Sequence, residues 1–123
     1  MKKTLIIVAI FMLLGVAAAE SGNELNTGCF LKAQDSLSPF DYGYCDGYIT
    51  GVLDTTVLSE SMIDKNGKPL SKQYVCMPEH VTHGQVFLIV KKYFTNNPEH
   101  LNWDASILVH NVLIDAFPCK GAK

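Results

Sequence analysis

Apolar residues recur at helical spacing in the second half of the chain. In residues 81–94 they fall at i, i+3, i+4, i+7 and i+8, which places them on one face of a helix. The same period continues through residues 101–116. Pro98 cannot donate a backbone hydrogen bond and disfavours a helical conformation at Asn97. The pattern therefore predicts two antiparallel helices that are joined by a short turn.

Two more helices are predicted in the first half. Residues 21–31 form a short and moderately apolar run, and Ser38-Pro39 precedes a second helix start. From Asp41 onward the chain presents one wide apolar face, made of Tyr44, Cys45, Tyr48, Ile49, Val52, Leu53, Thr56 and Val57. Residues 58–75 are rich in turn formers and predict the longest loop. Pro78 is predicted to lie in the first turn of the third helix, with Glu79 behind it.

Gly47 and Gly51 lie inside the second helix, where a glycine costs about 1 kcal/mol relative to alanine. Because they are four residues apart, they share one face. We expect a groove of small residues there that lets another helix approach closely. A membrane-type glycine dimer motif would need a longer apolar segment than this one.

Residues 86–90 are apolar on every side of the third helix. Such a helix is either buried at the centre of the bundle or covered on a second face by a partner. The second alternative predicts a homodimer or a partner-binding surface that includes the Phe87 side of this helix.

The first 19 residues are predicted to be a cleaved signal peptide. A basic head at Lys2 and Lys3 is followed by an uncharged apolar run over residues 5–16 and by three alanines at the cleavage site. The run is shorter than the roughly 20 residues that span a bilayer. We expect export into the periplasm of a Gram-negative bacterium, with residues 20–123 forming a single domain.

The charge of this domain argues against nucleic acid as a partner. Without Lys2 and Lys3, 8 lysines stand against 12 acidic residues, and there is no arginine. Binding to phosphates needs a basic face, and base recognition depends heavily on arginine. A basic protein partner remains compatible with a mature charge of about −4.

All four cysteines lie in the predicted mature chain, and an even number in an exported protein indicates disulfides. Three pairings are possible. The helical hairpin places Cys76 and Cys119 at the same end, which favours a bond between them and leaves Cys29 to pair with Cys45. Zinc is the competing interpretation, but the spacings match no common zinc motif.

No catalytic, cofactor-binding or metal-binding set is predicted. His80 and His83 could share a face at a helix start, but they lack further ligands at a defined spacing. Asp104, Ser106 and His110 are the residue types of a hydrolase triad, but no strained turn holds the serine. We therefore expect an all-α, compact bundle of about four helices, closed by two disulfides, that binds a partner and is not an enzyme.

The chain resembles the Rap/Tai family of immunity proteins from residue 44 to residue 119. Cys45, Cys76 and Cys119 match the cysteines of that family, whereas Cys29 lies in a less patterned region. The segments that carry the resemblance are Cys45-Asp46-Gly47-Tyr48-Ile49-Thr50-Gly51-Val52-Leu53-Asp54, Cys76-Met77-Pro78 with Val81 and Gln85, Asn97-Pro98, and Ala116-Phe117-Pro118-Cys119.

The resemblance implies a periplasmic protein, commonly a homodimer, that binds and blocks a peptidoglycan-cleaving amidase effector of the type VI secretion system. It would protect the producing cell and its sister cells. The turn between the third and fourth helices is the first candidate for contact with the effector, through Thr95, Asn96, Asn97, Glu99 and His100, and the loop over residues 64–73 is the second. An acid-stress chaperone that exposes an apolar surface at low pH is the alternative function.

Overall fold

The computed structural model describes residues 18–31 and 36–121, which form four α-helices. These are α1 (Gly22–Cys29), α2 (Pro39–Ser61), α3 (His83–Asn96) and α4 (Ala105–Ala116), with a short 3₁₀ helix (Pro98–His100) between α3 and α4. Within the described residues there are isolated β-bridges but no strands. The all-α prediction is confirmed. The predicted signal peptide lies outside the described residues except for Ala18 and Ala19.

Three of these helices begin at a capping box, in which two side chains satisfy each other's free backbone N–H groups. The pairs are Ser21 with Glu24, Ser38 with Asp41, and Thr82 with Gln85. Ser38 is the N-cap of α2 and Pro39 occupies the first turn, as the sequence predicts. Short local motifs therefore determine where three of these helices begin.

The predicted start of α3 is wrong. Pro78 and Glu79 precede the helix, and His80 has a φ of 71°, a left-handed conformation that a right-handed helix cannot contain. The capping box of Thr82 and Gln85 sets the start at His83 instead. His80 and His83 therefore do not share a helical face.

Helix α2 is longer than predicted, because it continues to Ser61. Its last turn is held by the chain that follows: the Glu60 carboxylate accepts backbone hydrogen bonds from Tyr74 and Val75 at 3.1 and 3.2 Å. The loop therefore spans residues 62–82. Helix α4 is shorter than the apolar pattern indicates, because residues 98–104 form the 3₁₀ helix and a turn.

The core is apolar and lies where the four helices meet. Phe87 is buried within it, with its ring 5.4 Å from that of Phe30 and 6.4 Å from that of Tyr42. Of the two alternatives for residues 86–90, burial at the centre of the bundle is therefore correct for Phe87. Leu88 is the exposed member of this segment. The largest side chains that are fully buried are Leu25, Val86, Val90, Phe94, Leu108, Val109 and Leu113.

Both predicted disulfides are present. Cys29–Cys45 joins the end of α1 to α2, and Cys76–Cys119 joins the segment before α3 to the segment after α4. Backbone hydrogen bonds flank the second bond, because Cys76 N–H donates to the Phe117 carbonyl and Cys119 N–H to the Tyr74 carbonyl. One disulfide thus ties α1 to α2, and the other ties together the outer ends of the α3–α4 pair.

We predict that removing either disulfide strongly lowers the free energy of unfolding. Cys76→Ala with Cys119→Ala should cost about 4 kcal/mol, because the bond closes a loop with a sequence separation of 43. Cys29→Ala with Cys45→Ala should cost about 3 kcal/mol from the separation of 16, plus the loss of two buried sulfurs. Urea unfolding measures both. A loss below about 1 kcal/mol for either pair would contradict the prediction.

Candidate partner-binding site

The first predicted contact element, the turn between α3 and α4, faces solvent only in part. Thr95, Asn96 and Glu99 are exposed. The side chain of Asn97 is directed inward and donates a hydrogen bond to the Tyr93 carbonyl over 2.8 Å. The exposed edge of this turn is therefore narrower than the sequence indicates.

His100, the fifth residue predicted for this site, is tied into an aromatic stack. Its Nδ1 lies 2.8 Å from the Tyr93 hydroxyl oxygen, and its ring centroid lies 5.0 Å from that of Trp103 and 6.1 Å from that of Tyr93. These contacts hold the 3₁₀ helix against the end of α3. His100 therefore has a structural role in this turn.

The second predicted element contains an ordered hairpin loop, residues 62–70, at the other end of the bundle. Leu70 N–H donates to the Met62 carbonyl over 2.9 Å, and Asp64 N–H to the Lys68 carbonyl over 2.8 Å. Gly67 has a φ of 78°, which glycine adopts without strain. The loop is thus a narrow projection whose shape is fixed by its own backbone.

The Asp64 carboxylate closes the tip of the hairpin loop. Its Oδ1 accepts backbone hydrogen bonds from Asn66 at 2.8 Å and Lys68 at 2.9 Å. These bonds, above all the one from Lys68, hold the pKa of Asp64 below its ordinary value of 3.8. The tip is therefore organised by a carboxylate that is ionised at neutral pH.

Apolar side chains stand exposed at the base of the hairpin loop. Ile63 and Leu70 are each about three-fifths exposed, and Met62 is half exposed. Leu58, in the last turns of α2, is also exposed. Large apolar groups that are solvated at a rigid projection are typical of a surface that binds another protein.

A third surface, which we call the α2–α4 groove, lies between these two helices. It encloses about 630 Å³ and is lined mainly by apolar and hydroxyl-bearing residues. The lining residues are Gly47, Tyr48, Gly51, Val52, Thr55, Thr56, Ser59, Ser106 and His110. Its floor is fixed by a hydrogen bond between the buried Thr56 hydroxyl and His110 Nδ1, at 3.0 Å.

Gly47 and Gly51 open onto this groove, as predicted, but no other helix of the bundle fills it. A Cβ built at either glycine meets nothing within 4 Å in the described part of the chain. Gly22 is different, because a Cβ there would lie 2.5 Å from Leu108 Cδ1 and 2.9 Å from the Leu101 carbonyl oxygen. Close helix approach in this bundle therefore depends on Gly22 and not on the glycines of α2.

Acidic side chains lie near one end of the α2–α4 groove. Burial raises the pKa of Tyr48, and the nearby charges of Glu20 and Asp104 add to the rise. The adjacent Tyr44 donates a hydrogen bond to Glu20, and burial together with this contact raises its pKa to about 12. Helices α2 and α4 contain no lysine or arginine.

The described residues do not assemble a metal site or a hydrolase triad. Within residues 18–31 and 36–121, no group of three or more His, Cys, Asp or Glu side chains is placed to hold a metal ion. His110 Nδ1 contacts Thr56, and Asp104, the N-cap residue of α4, makes no side-chain capping bond. Among the described helices, none is long and apolar enough to cross a membrane.

Comparison with known proteins gives one match. A family model described as Rap1a immunity proteins matches residues 21–119, which is most of the chain. No curated protein and no solved structure matches.

We predict that Gly47→Ala and Gly51→Ala each raise the free energy of unfolding by about 1 kcal/mol, because the helix gains alanine's propensity and the added methyl meets open space. Gly22→Ala is the matched control. It should lower stability by about 1–3 kcal/mol through the contacts with Leu108 and Leu101. Urea unfolding measures all three variants. If the groove were filled, Gly47→Ala and Gly51→Ala would lower the free energy of unfolding as Gly22→Ala does.

We also predict that the hairpin loop loses order in acid. Because the pKa of Asp64 is lower in the folded state, its contribution is complete above the unfolded pKa near 4 and is lost as the pH falls through the folded value. Amide hydrogen exchange at Asn66 and Lys68 should accelerate, relative to the α4 amides, below about pH 4. Asp64→Ala should produce the same acceleration at pH 7, whereas Asp64→Asn keeps an acceptor oxygen and should retain most of the protection.

Proposed function

The chain belongs to the Rap1a immunity protein family, and on that premise we propose that it binds and inhibits a peptidoglycan-cleaving amidase effector of a type VI secretion system. It would act in the periplasm and protect the producing cell and its sister cells. The observation that carries this proposal is the family match over residues 21–119, which includes all four helices and both disulfides.

The construction of the chain supports an inhibitory role. A tight inhibitor gains affinity when little of its surface has to be ordered on binding. Two disulfides, three capping boxes and the self-closed hairpin loop limit this cost. The same disulfides support a periplasmic location, because such bonds persist in an oxidising compartment.

We place the main contact with the effector at the hairpin loop. It combines a fixed backbone with the exposed apolar side chains of Ile63 and Leu70. The turn at Thr95, Asn96 and Glu99 lies at the opposite end of α4, about 18 Å away along a helix of 12 residues. A single catalytic cleft can receive either the hairpin loop or this turn, but not both. The turn is therefore the alternative contact.

The proposed oligomeric state is a homodimer, which the resemblance to the family also implies. Phe87 is not available for such an interface, because it is 3% exposed and packs against Phe30. Leu88 is exposed on α3 and is the apolar residue of that helix that a second copy can cover.

The proposal predicts that a gene for an exported or secreted cell-wall hydrolase lies beside the gene of this chain, and the test uses the purified mature chain with that hydrolase. We expect release of soluble fragments from peptidoglycan to stop at a stoichiometric amount of this protein. If the hydrolase is neither bound nor inhibited, the immunity proposal is wrong. Suppression of protein aggregation at low pH, without any effect on the hydrolase, would instead favour the acid-stress chaperone.

Matched variants identify the contact element. Ile63→Asp with Leu70→Asp alters only exposed side chains of the hairpin loop and should raise the Kd for the hydrolase at least tenfold, or about 1.4 kcal/mol. Asn96→Asp with Glu99→Gln is the corresponding change at the turn and should leave the Kd within about twofold. The reverse result would move the contact to the turn. Circular dichroism checks that both variants remain helical.

A further inference from the structure

No described residue packs against the two glycines of the α2–α4 groove, and we propose that the groove binds a basic α-helix of the effector. This inference rests on the proposed function and extends it to a second contact surface. The bound helix would present small or apolar side chains along the groove and a lysine or arginine towards Glu20 and Asp104.

The glycines provide the first argument. Gly47 and Gly51, the two of the three α2 glycines that line the groove, cost about 1 kcal/mol each, and the described chain places nothing within 4 Å of their Cβ positions. A side chain beginning with a Cβ would therefore find space in the fold but would narrow the groove. This loss of helix stability is explained if a binding partner has to approach the backbone of α2 closely.

The shape of the groove fits a helix. Gly47, Gly51, Thr55 and Ser59 recur every four residues, so small side chains form one stripe along α2. The stripe runs from Gly47 to Ser59, which is 13 residues and about 18 Å, or more than three helical turns. A ridge of side chains from another helix can lie in such a groove.

The groove is preformed and leads to the hairpin loop. The hydrogen bond between Thr56 and His110 fixes the distance between α2 and α4 at its floor. At its far end, the Ser71 hydroxyl donates to the carbonyl of Ser59, a lining residue, and so ties the loop to the groove. A helix in the groove would therefore belong to the same interface as a cleft that receives the hairpin loop.

Charge determines which partner is expected. Glu20 and Asp104 place negative charge near Tyr48, at one end of the groove, and no lysine or arginine of the described residues lines it. A second copy would bring a second pair of these carboxylates close to the first, which is unfavourable. A helix with lysine or arginine would instead be attracted. The charges thus favour a basic partner over a second copy.

The experiment measures the affinity of the full mature chain for the purified neighbouring-gene hydrolase by calorimetry. Gly47→Leu and Gly51→Leu should each weaken binding at least tenfold while the helical signal remains. Gly28→Leu is the matched control, because it also adds a side chain to open space, on α1, and should leave the Kd unchanged. Hydrogen exchange of the hydrolase should show protection of a helical segment that contains lysine or arginine.

A charge variant tests the same groove without adding bulk. Glu20→Gln with Asp104→Asn keeps the side-chain size and one acceptor oxygen at each position, and it should weaken binding about threefold to tenfold and flatten its salt dependence. Glu79→Gln removes an exposed charge away from the groove and should have no effect.

The outcomes separate the two proposals. If the unmodified chain binds the hydrolase but neither the leucine variants nor the charge variant alters the Kd, the groove proposal is wrong and the immunity proposal stands. If the unmodified chain does not bind, both are wrong. If the leucine variants instead convert a dimer into a monomer by light scattering, a second copy occupies the groove, and the proposal of an effector helix is overturned.

Discussion

Covalent closure at two places is the constraint on which this fold depends. The first disulfide fastens α1 to α2, and the second joins the segments that flank the α3–α4 pair. A domain of about 100 residues has a modest core, so cross-links of this kind are a large part of its stability. They also allow long connections, such as residues 62–82, to leave the bundle and return without loosening it.

The helices could be predicted because their signals are local, and the disulfides could be predicted because the helical hairpin brings Cys76 and Cys119 to the same end. The period of apolar residues, the proline at position 98 and the Ser38-Pro39 start all act within a few residues. Local signals also compete, and this explains the errors. Pro78 suggested a helix start, but the capping box at Thr82 is the stronger signal and His80 adopts a left-handed conformation. Residues 58–61 looked like loop because nothing nearby shows that Tyr74 and Val75 bind Glu60.

The binding surfaces were harder to predict, because exposure depends on contacts between distant segments. The sequence pattern allowed Phe87 to face a partner, but in the structure its ring packs against those of Phe30 and Tyr42. His100 looked like a surface residue, but it stacks on Trp103. The glycine spacing did indicate a groove, but only the packing of α4 beside α2 shows that residues 18–31 and 36–121 leave it open. For the hairpin loop the available signal was Asp64 followed by Asn66-Gly67, a combination that favours a tight turn.

The way in which the hairpin loop is held has a consequence for divergence among related chains. Its shape comes from main-chain hydrogen bonds, one carboxylate and one glycine. The remaining side chains of the tip therefore contribute little to folding. Those positions can be exchanged for others while the cross-linked body stays the same. If the hairpin loop is the contact with the effector, as proposed, recognition of a new effector would arise by substitution at a few sites, without a penalty in the stability of the scaffold.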